Sequence, residues 1–173
     1  ILSMKLYSLD ERCVPAIKRV REYYLSVPEW RKDVEEGKMF GVLIYEDPVS
    51  NGKDSLSYLA AFSGTLGGKT CQSGFVPPVF DIQGEGRYFL EEEAEISAIN
   101  RYLDSGQATP REVCDLKHER KERSRALQRW LFARYSVSNI SGEKSSLLDI
   151  FAPAVPPGGA GDCCAPKLLQ EAF

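Results

Sequence analysis

The chain has 173 residues, 43% of them hydrophobic and 27% charged, with 22 basic and 25 acidic side chains for a net charge of −3. Those proportions suit one ordinary globular domain and exclude a disordered, fibrous or uniformly polycationic protein, so any nucleic-acid contact needs a local basic face. No apolar run approaches the ~18 residues of a membrane span, and no apolar core of a signal peptide follows Lys5.

Five cysteines, Cys13, Cys71, Cys114, Cys163 and Cys164, cannot all pair within one chain. They read as reduced thiols of a cytoplasmic protein. On that reading the Asn139-Ile140-Ser141 sequon is fortuitous.

Residues 1–37 are expected to hold a helical pair. Val14, Ile17, Val20, Tyr24 and Leu25 recur at three- and four-residue spacings, the mark of an amphipathic helix over 11–25. Ser26-Val27-Pro28-Glu29 has the pattern of a capping box. A second short helix follows and is stopped by Gly37.

Residues 38–64 read as a β-hairpin. Met39–Tyr45 and Leu56–Phe62 are short apolar runs rich in strand formers, and Asn51-Gly52 between them is a strong turn signal. Residues 64–87 are rich in Gly and Pro and predict a long ordered loop.

Two helices are expected over 88–135. The first, 88–103, crowds Glu91, Glu92, Glu93 and Glu95 into its early turns, where the helix dipole favours negative charge. Its apolar stripe is Ile96, Ile99, Tyr102 and Leu103, and Asp104-Ser105-Gly106 ends it. Pro110 opens the second, which reaches about Tyr135 and spans roughly 37 Å at ~1.5 Å per residue. Its stripe runs Val113, Leu116, Arg120, Arg123, Leu127, Trp130, Arg134, with Leu131 alongside. The ends of that stripe can bury; the arginine middle is expected to stay exposed.

Residues 136–150 read as a short strand and a loop or helical turn. Residues 153–173 read as a Gly/Pro loop and a helix interrupted by the end of the chain. The fold class is therefore mixed α and β in a single accessory domain, 1–173. An antiparallel hairpin-centred sheet, extended by a later strand, is flanked by helices, one of them long and basic.

Four features carry possible chemistry. Gly64-Thr65-Leu66-Gly67-Gly68-Lys69-Thr70 is close to a phosphate-binding loop, but Ser63 stands where the first glycine is required. Cys71–Pro78 cannot supply the helix that must follow, so a glycine-rich turn leaving the second strand is the reading. His118 is the sole histidine and lies among Lys117, Glu119, Arg120 and Lys121, as a solvated side chain would. Cys163 and Cys164 sit where a Gly-rich loop enters a helix, the place a zinc nucleotide deaminase puts a ligand. Cys164-Ala165-Pro166 lacks the glutamate and no second cysteine pair follows, so they are weak metal candidates and a tightly packed turn is favoured. The fourth feature is the basic helix. From Lys117 to Arg134 seven cations against two carboxylates leave a local charge of +5. A cation cluster on a rigid rod suits phosphate binding. A solvated face laced with pairs such as Glu119–Arg123 explains the composition equally well.

Six blocks in order carry a resemblance. They are Lys38–Leu43, Tyr58–Gly64, Gly74–Asp81, Glu91–Asn100, Leu116–Phe132 and Pro156–Gln170. Residues 38–173 resemble the N-terminal extension of a bacterial group of RluA-type RNA pseudouridine synthases. The resemblance implies a parent enzyme, an isomerase, that converts uridine to pseudouridine in rRNA or tRNA with a catalytic aspartate in an H-R-L-D-x-x-T-S-G type motif and no cofactor. Arg101-Tyr102-Leu103-Asp104-Ser105-Gly106 echoes that motif without its His-Arg pair or threonine, so catalysis is not assigned to Asp104. A catalytic domain is expected beyond Phe173 as a partner in the same polypeptide. Where the family that this sequence resembles carries a long charged helical insertion, between the Glu91–Asn100 and Leu116–Phe132 blocks, only Ser105–Asp115 stands here.

The expected role is thus an accessory, RNA-contacting module, with no membrane contact. Lys117, Arg120, Lys121, Arg123, Arg125 and Arg129 would hold phosphates and supply affinity without base choice. Trp130 and Phe132 are candidates to stack on bases, although Trp130 also fits the core. The alternatives are a degenerate deaminase-like domain and a purely structural or interaction module.

Overall fold

The computed structural model describes residues 10–46 and 56–173. The fold is mixed α and β, with two separate two-stranded antiparallel sheets among the described residues, flanked by helices. The chain forms two compact units, one from the residues up to 77 with 163–172, the other from 78–162.

The first unit opens with α1 (Val14–Ser26) and α2 (Arg31–Glu35). In α1, Ala16 and Val20 are buried, whereas Leu25 is 57% exposed and stands off the expected stripe. The expected capping box at Ser26 does not form. Ser26 is the last residue of α1, and its hydroxyl donates to the Tyr23 carbonyl at 2.7 Å. Pro28, whose fixed φ suits a helix start, begins the next turn without a side-chain cap. Gly37, at φ +92°, stops α2 as expected. Its N–H bonds the Val34 carbonyl and the Lys38 N–H bonds that of Asp33, a Schellman closure.

Strands β1 (Phe40–Glu46) and β2 (Leu56–Phe62) pair antiparallel from Phe40 opposite Phe62 to Glu46 opposite Leu56. The Asn51-Gly52 turn lies outside the described residues. Both faces of the hairpin are covered, which is why its strands are continuously apolar. On one face Phe40 and Phe62 join Trp30, Leu66, Tyr24 and Phe75; the Tyr24 and Phe40 rings stack with centroids 4.0 Å apart. On the other, Leu43, Leu59 and Ala61 meet Leu168 of α7 (Cys164–Ala172), the last helix of the chain. The Gly41–Ala61 pair lets α7 approach closely, since a Cβ on Gly41 would lie 2.8 Å from that of Cys164.

The second unit contains the short α3 (Ile82–Glu85), α4 (Arg87–Asp104) and α5 (Pro110–Arg134). Thr109 and Glu112, at the T-x-x-E spacing, form a reciprocal capping box ahead of α5. After α5 come β3 (Ser136–Ser138), β4 (Lys144–Ser146) and α6 (Leu147–Phe151). These strands pair with each other and not with β1 or β2, so no later strand extends the first hairpin. Phe132, Tyr135 and Leu147 form the core of this unit, with Val79, Phe80, Leu131, Leu148 and Ala160 against it.

Candidate nucleic-acid interface

Helices α4 and α5 form an antiparallel hairpin around the turn at 105–109, where Gly106 takes φ +70°. Asn100 meets Arg120, and the Tyr88 ring packs 5.1 Å from that of Trp130. α4 carries a net charge of −3, five carboxylates against two arginines; α5 carries +4, eight cations against four carboxylates. The acidic start of one helix therefore lies beside the basic middle of the other, and the pair is close to neutral.

That neighbour divides the six nominated cations. Arg123 is turned to α4, bonding Glu92 at 3.0 Å and Glu119 on its own helix at 2.8 Å, with its side chain 35% exposed. Glu119 first, then Glu92, push its pKa up. It clamps the hairpin and is not open to a phosphate. Arg120 donates to the Asn100 side-chain oxygen at 3.1 Å. Arg125 holds Glu122 at 2.9 Å but is 63% exposed. Lys117, Lys121 and Arg129 are exposed and, among the described residues, pair with no carboxylate.

Lys117, Lys121, Arg125 and Arg129 are four residues apart, so they form one inclined ridge with steps of ~6 Å along the axis. Beside the ridge runs a groove of about 800 Å³. Lys117, Arg120, Lys121 and Arg125 line its α5 side, Glu93 and Asn100 its α4 side, and Phe89, Ile96, Leu127 and Leu131 supply apolar walls. Arg125 and Gln128 also border a second pocket of about 250 Å³, completed by Arg129, Phe132, Leu148 and Val155.

Phe132 is only 2% exposed and belongs to the core, which corrects its candidacy for base stacking. Trp130 is half-buried, with the Arg134 guanidinium 3.5 Å above its ring and Phe80 and Tyr88 at its edges. Asp104 is an exposed helix-end residue, and His118 is an exposed side chain on α5.

The phosphate-loop look-alike is a tight turn. Leu66 and Lys69 exchange both backbone hydrogen bonds around Gly67 and Gly68, each at positive φ, and no helix follows Thr70. Asp33 of α2 accepts the Gly67 N–H at 2.6 Å, holding the turn on the first unit.

Cys164 packs at the start of α7, its thiol donating to the Met39 and Ala61 carbonyls at 3.6 Å each. No group of three or more His, Cys, Asp or Glu suited to a metal converges among the described residues. Burial pushes the Cys164 thiol up, whereas Cys71, Cys114 and Cys163 are exposed. Alkylation at about pH 8, followed by peptide mass mapping, should therefore modify those three well before Cys164. Equal labelling of Cys164 contradicts this packing.

One residue the sequence reading passed over is Lys167, 2% exposed, whose ammonium donates to the carbonyls of Phe62 at 3.0 Å and Gly64 at 3.3 Å. It fastens α7 to the exit of β2. No helix among the described residues is long and apolar enough to cross a membrane. Comparison with family models, curated proteins and solved structures yields no match.

Proposed function

We propose that the chain is an accessory RNA-contacting domain of an enzyme that isomerises uridine in rRNA or tRNA, the reaction itself being carried by a separate catalytic domain. The association with a pseudouridine synthase rests on the six ordered sequence blocks. The observation that carries the RNA contact is the α5 ridge, where Lys117, Lys121 and Arg129 are exposed cations that pair with no carboxylate among the described residues. Phosphate contacts are accordingly assigned to Lys117, Lys121, Arg125 and Arg129, with Arg120 at the groove edge. Arg123 is given the separate task of holding α4 to α5. No cofactor is invoked, and five cysteines without a disulfide among them suit a reducing, cytoplasmic compartment.

The near-neutral α4–α5 pair favours a second reading, a structural module whose cations serve the helix hairpin alone. Fluorescence anisotropy of a labelled tRNA transcript across a salt series separates the two. Four phosphate contacts should cut affinity by roughly 10² between about 50 and 200 mM salt. Lys117→Glu/Lys121→Glu should weaken binding at least tenfold without changing helix content, because neither lysine supports the fold. Absence of binding at the lowest salt, with the circular dichroism spectrum intact, leaves only the structural role.

A further inference from the structure

We propose that the ligand of the α5 ridge is a single-stranded polynucleotide, with one unstacked base seated in the pocket beside Gln128. This deepens the RNA-contacting reading and rests on it.

Three observations point to a single strand. The ridge is narrow, with Arg120 at the groove edge the one cation beside it among the groove-lining residues. Lys117, Lys121, Arg125 and Arg129 follow one another at ~6 Å along the axis, a step comparable with that between successive phosphates of an extended strand. A duplex carries one charge per roughly 1.7 Å of its axis on two strands, so it calls for a broader cationic face. Second, the far wall of the groove carries a carboxylate, the exposed Glu93 of α4. A duplex lying along α5 would bring its second backbone towards that carboxylate, whereas a single strand can keep to the ridge. Third, the groove and pocket offer apolar surface that bases stacked within a duplex cannot reach. Phe89, Ile96 and Leu131 give the groove apolar walls, against which unpaired bases can lie.

The pocket of about 250 Å³ lies between two ridge cations, Arg125 and Arg129. Its size falls below the roughly 300 Å³ at which drug-sized sites begin, and suits a group as small as a nucleobase. Leu148 and Val155 form its apolar side, Val155 being 72% exposed. The Gln128 amide offers both a donor and an acceptor to a base edge. A phosphate between Arg125 and Arg129 would place the attached base over this pocket.

The test uses the 173-residue chain and four probes in anisotropy titrations: a 12-nucleotide oligouridylate, oligothymidylate of the same length, a 12-base-pair RNA duplex, and polyglutamate as competitor. The expected result is that oligouridylate binds at least tenfold tighter than the duplex. Its log Kd should change with log salt with a slope of magnitude near 3, from four contacts at about 0.7 each. Lys117→Glu/Lys121→Glu should roughly halve that slope. Gln128→Ala should weaken binding several-fold and leave the slope unchanged, which separates the pocket from the ridge. Similar binding of oligothymidylate also supports the assignment, since no ribose contact is invoked. Duplex binding as tight as oligouridylate overturns the single-strand assignment while leaving phosphate contact in place. Competition by polyglutamate at matched charge overturns it in favour of an acidic protein partner. Failure of both nucleic-acid forms to bind overturns the RNA-contacting reading as well.

Discussion

Gly161→Ala is expected to destabilise the second unit by about 3 kcal/mol or more, from overpacking and from forcing a side chain into the left-handed region. Gly161 has φ +93°, and an added Cβ would lie 2.7 Å from Cδ1 and 2.8 Å from Cγ of Tyr135. The ring has nowhere to retreat. Tyr135 is fully buried and packed with Phe132 and Leu147. The chain provides a reporter, because one tryptophan, Trp30, lies in the first unit and the other, Trp130, in the second. In urea denaturation the Trp130 signal of a Trp30→Phe background should shift to lower midpoint in Gly161→Ala. A shift under 1 kcal/mol would show that the loop at 158–162 yields easily and that the close approach is not a constraint.

The same tyrosine has a pH signature. Its hydroxyl is buried without a hydrogen bond of good geometry. Burial first, and then the Asp162 carboxylate, raise its pKa above the ordinary value of 10.0. The folded phenol thus keeps its proton where the unfolded one ionises. Its contribution is fully present below about pH 10 and is lost progressively above it. Tyr135→Phe should remove that alkaline loss, so that its urea midpoint stays level above about pH 10, where that of the wild type falls.

Lys167→Ala is expected to destabilise the first unit by roughly 3 kcal/mol, read from the Trp30 signal in a Trp130→Phe background. A charge-assisted hydrogen bond contributes about 1.5–3 kcal/mol, and a carbonyl left buried without its donor costs about 1–3 kcal/mol. Lys167 supplies such bonds to Phe62 and Gly64, and its ammonium lies 5.0 Å from the Phe62 ring centre. Truncation also leaves a void beneath α7. Lys167→Met fills the void without restoring the bonds and should fall between wild type and Ala. Because burying an ammonium is itself costly, the gap between Met and wild type measures how far the carbonyls offset that cost. An unchanged midpoint in Lys167→Ala removes the fastening role.

The expectations that held are those carried by contacts within about four residues along the chain. The three-to-four spacing of α1, α4 and α5, the stop at Gly37 and the turn at Gly67-Gly68 are local backbone matters, and each was legible in the sequence. So were the apolar runs of β1 and β2. The three-residue strands β3 and β4 are too short to show a period of two, so the sequence displays one strand and a loop where the structure has two strands. Ser26 caps no helix start, because a serine hydroxyl can equally accept from the following turn or donate to the preceding one, and here it donates to the Tyr23 carbonyl.

The candidate interface was legible only as a count of charges. Composition located seven cations between Lys117 and Arg134, and helical spacing placed them on a rod. Which of them remain open depends on the face that α4 covers. Glu92 is 31 residues from Arg123, so nothing local could reveal that clamp. Lys167 is still less visible, since its carbonyl partners lie more than a hundred residues earlier and a lysine by itself predicts solvent. Sequence periodicity determined where helices, strands and turns form, because neighbouring residues largely decide backbone conformation. Tertiary structure decided which charges are spent on the fold and which are left for a ligand, because satisfying a charge depends on groups brought near it from elsewhere in the chain.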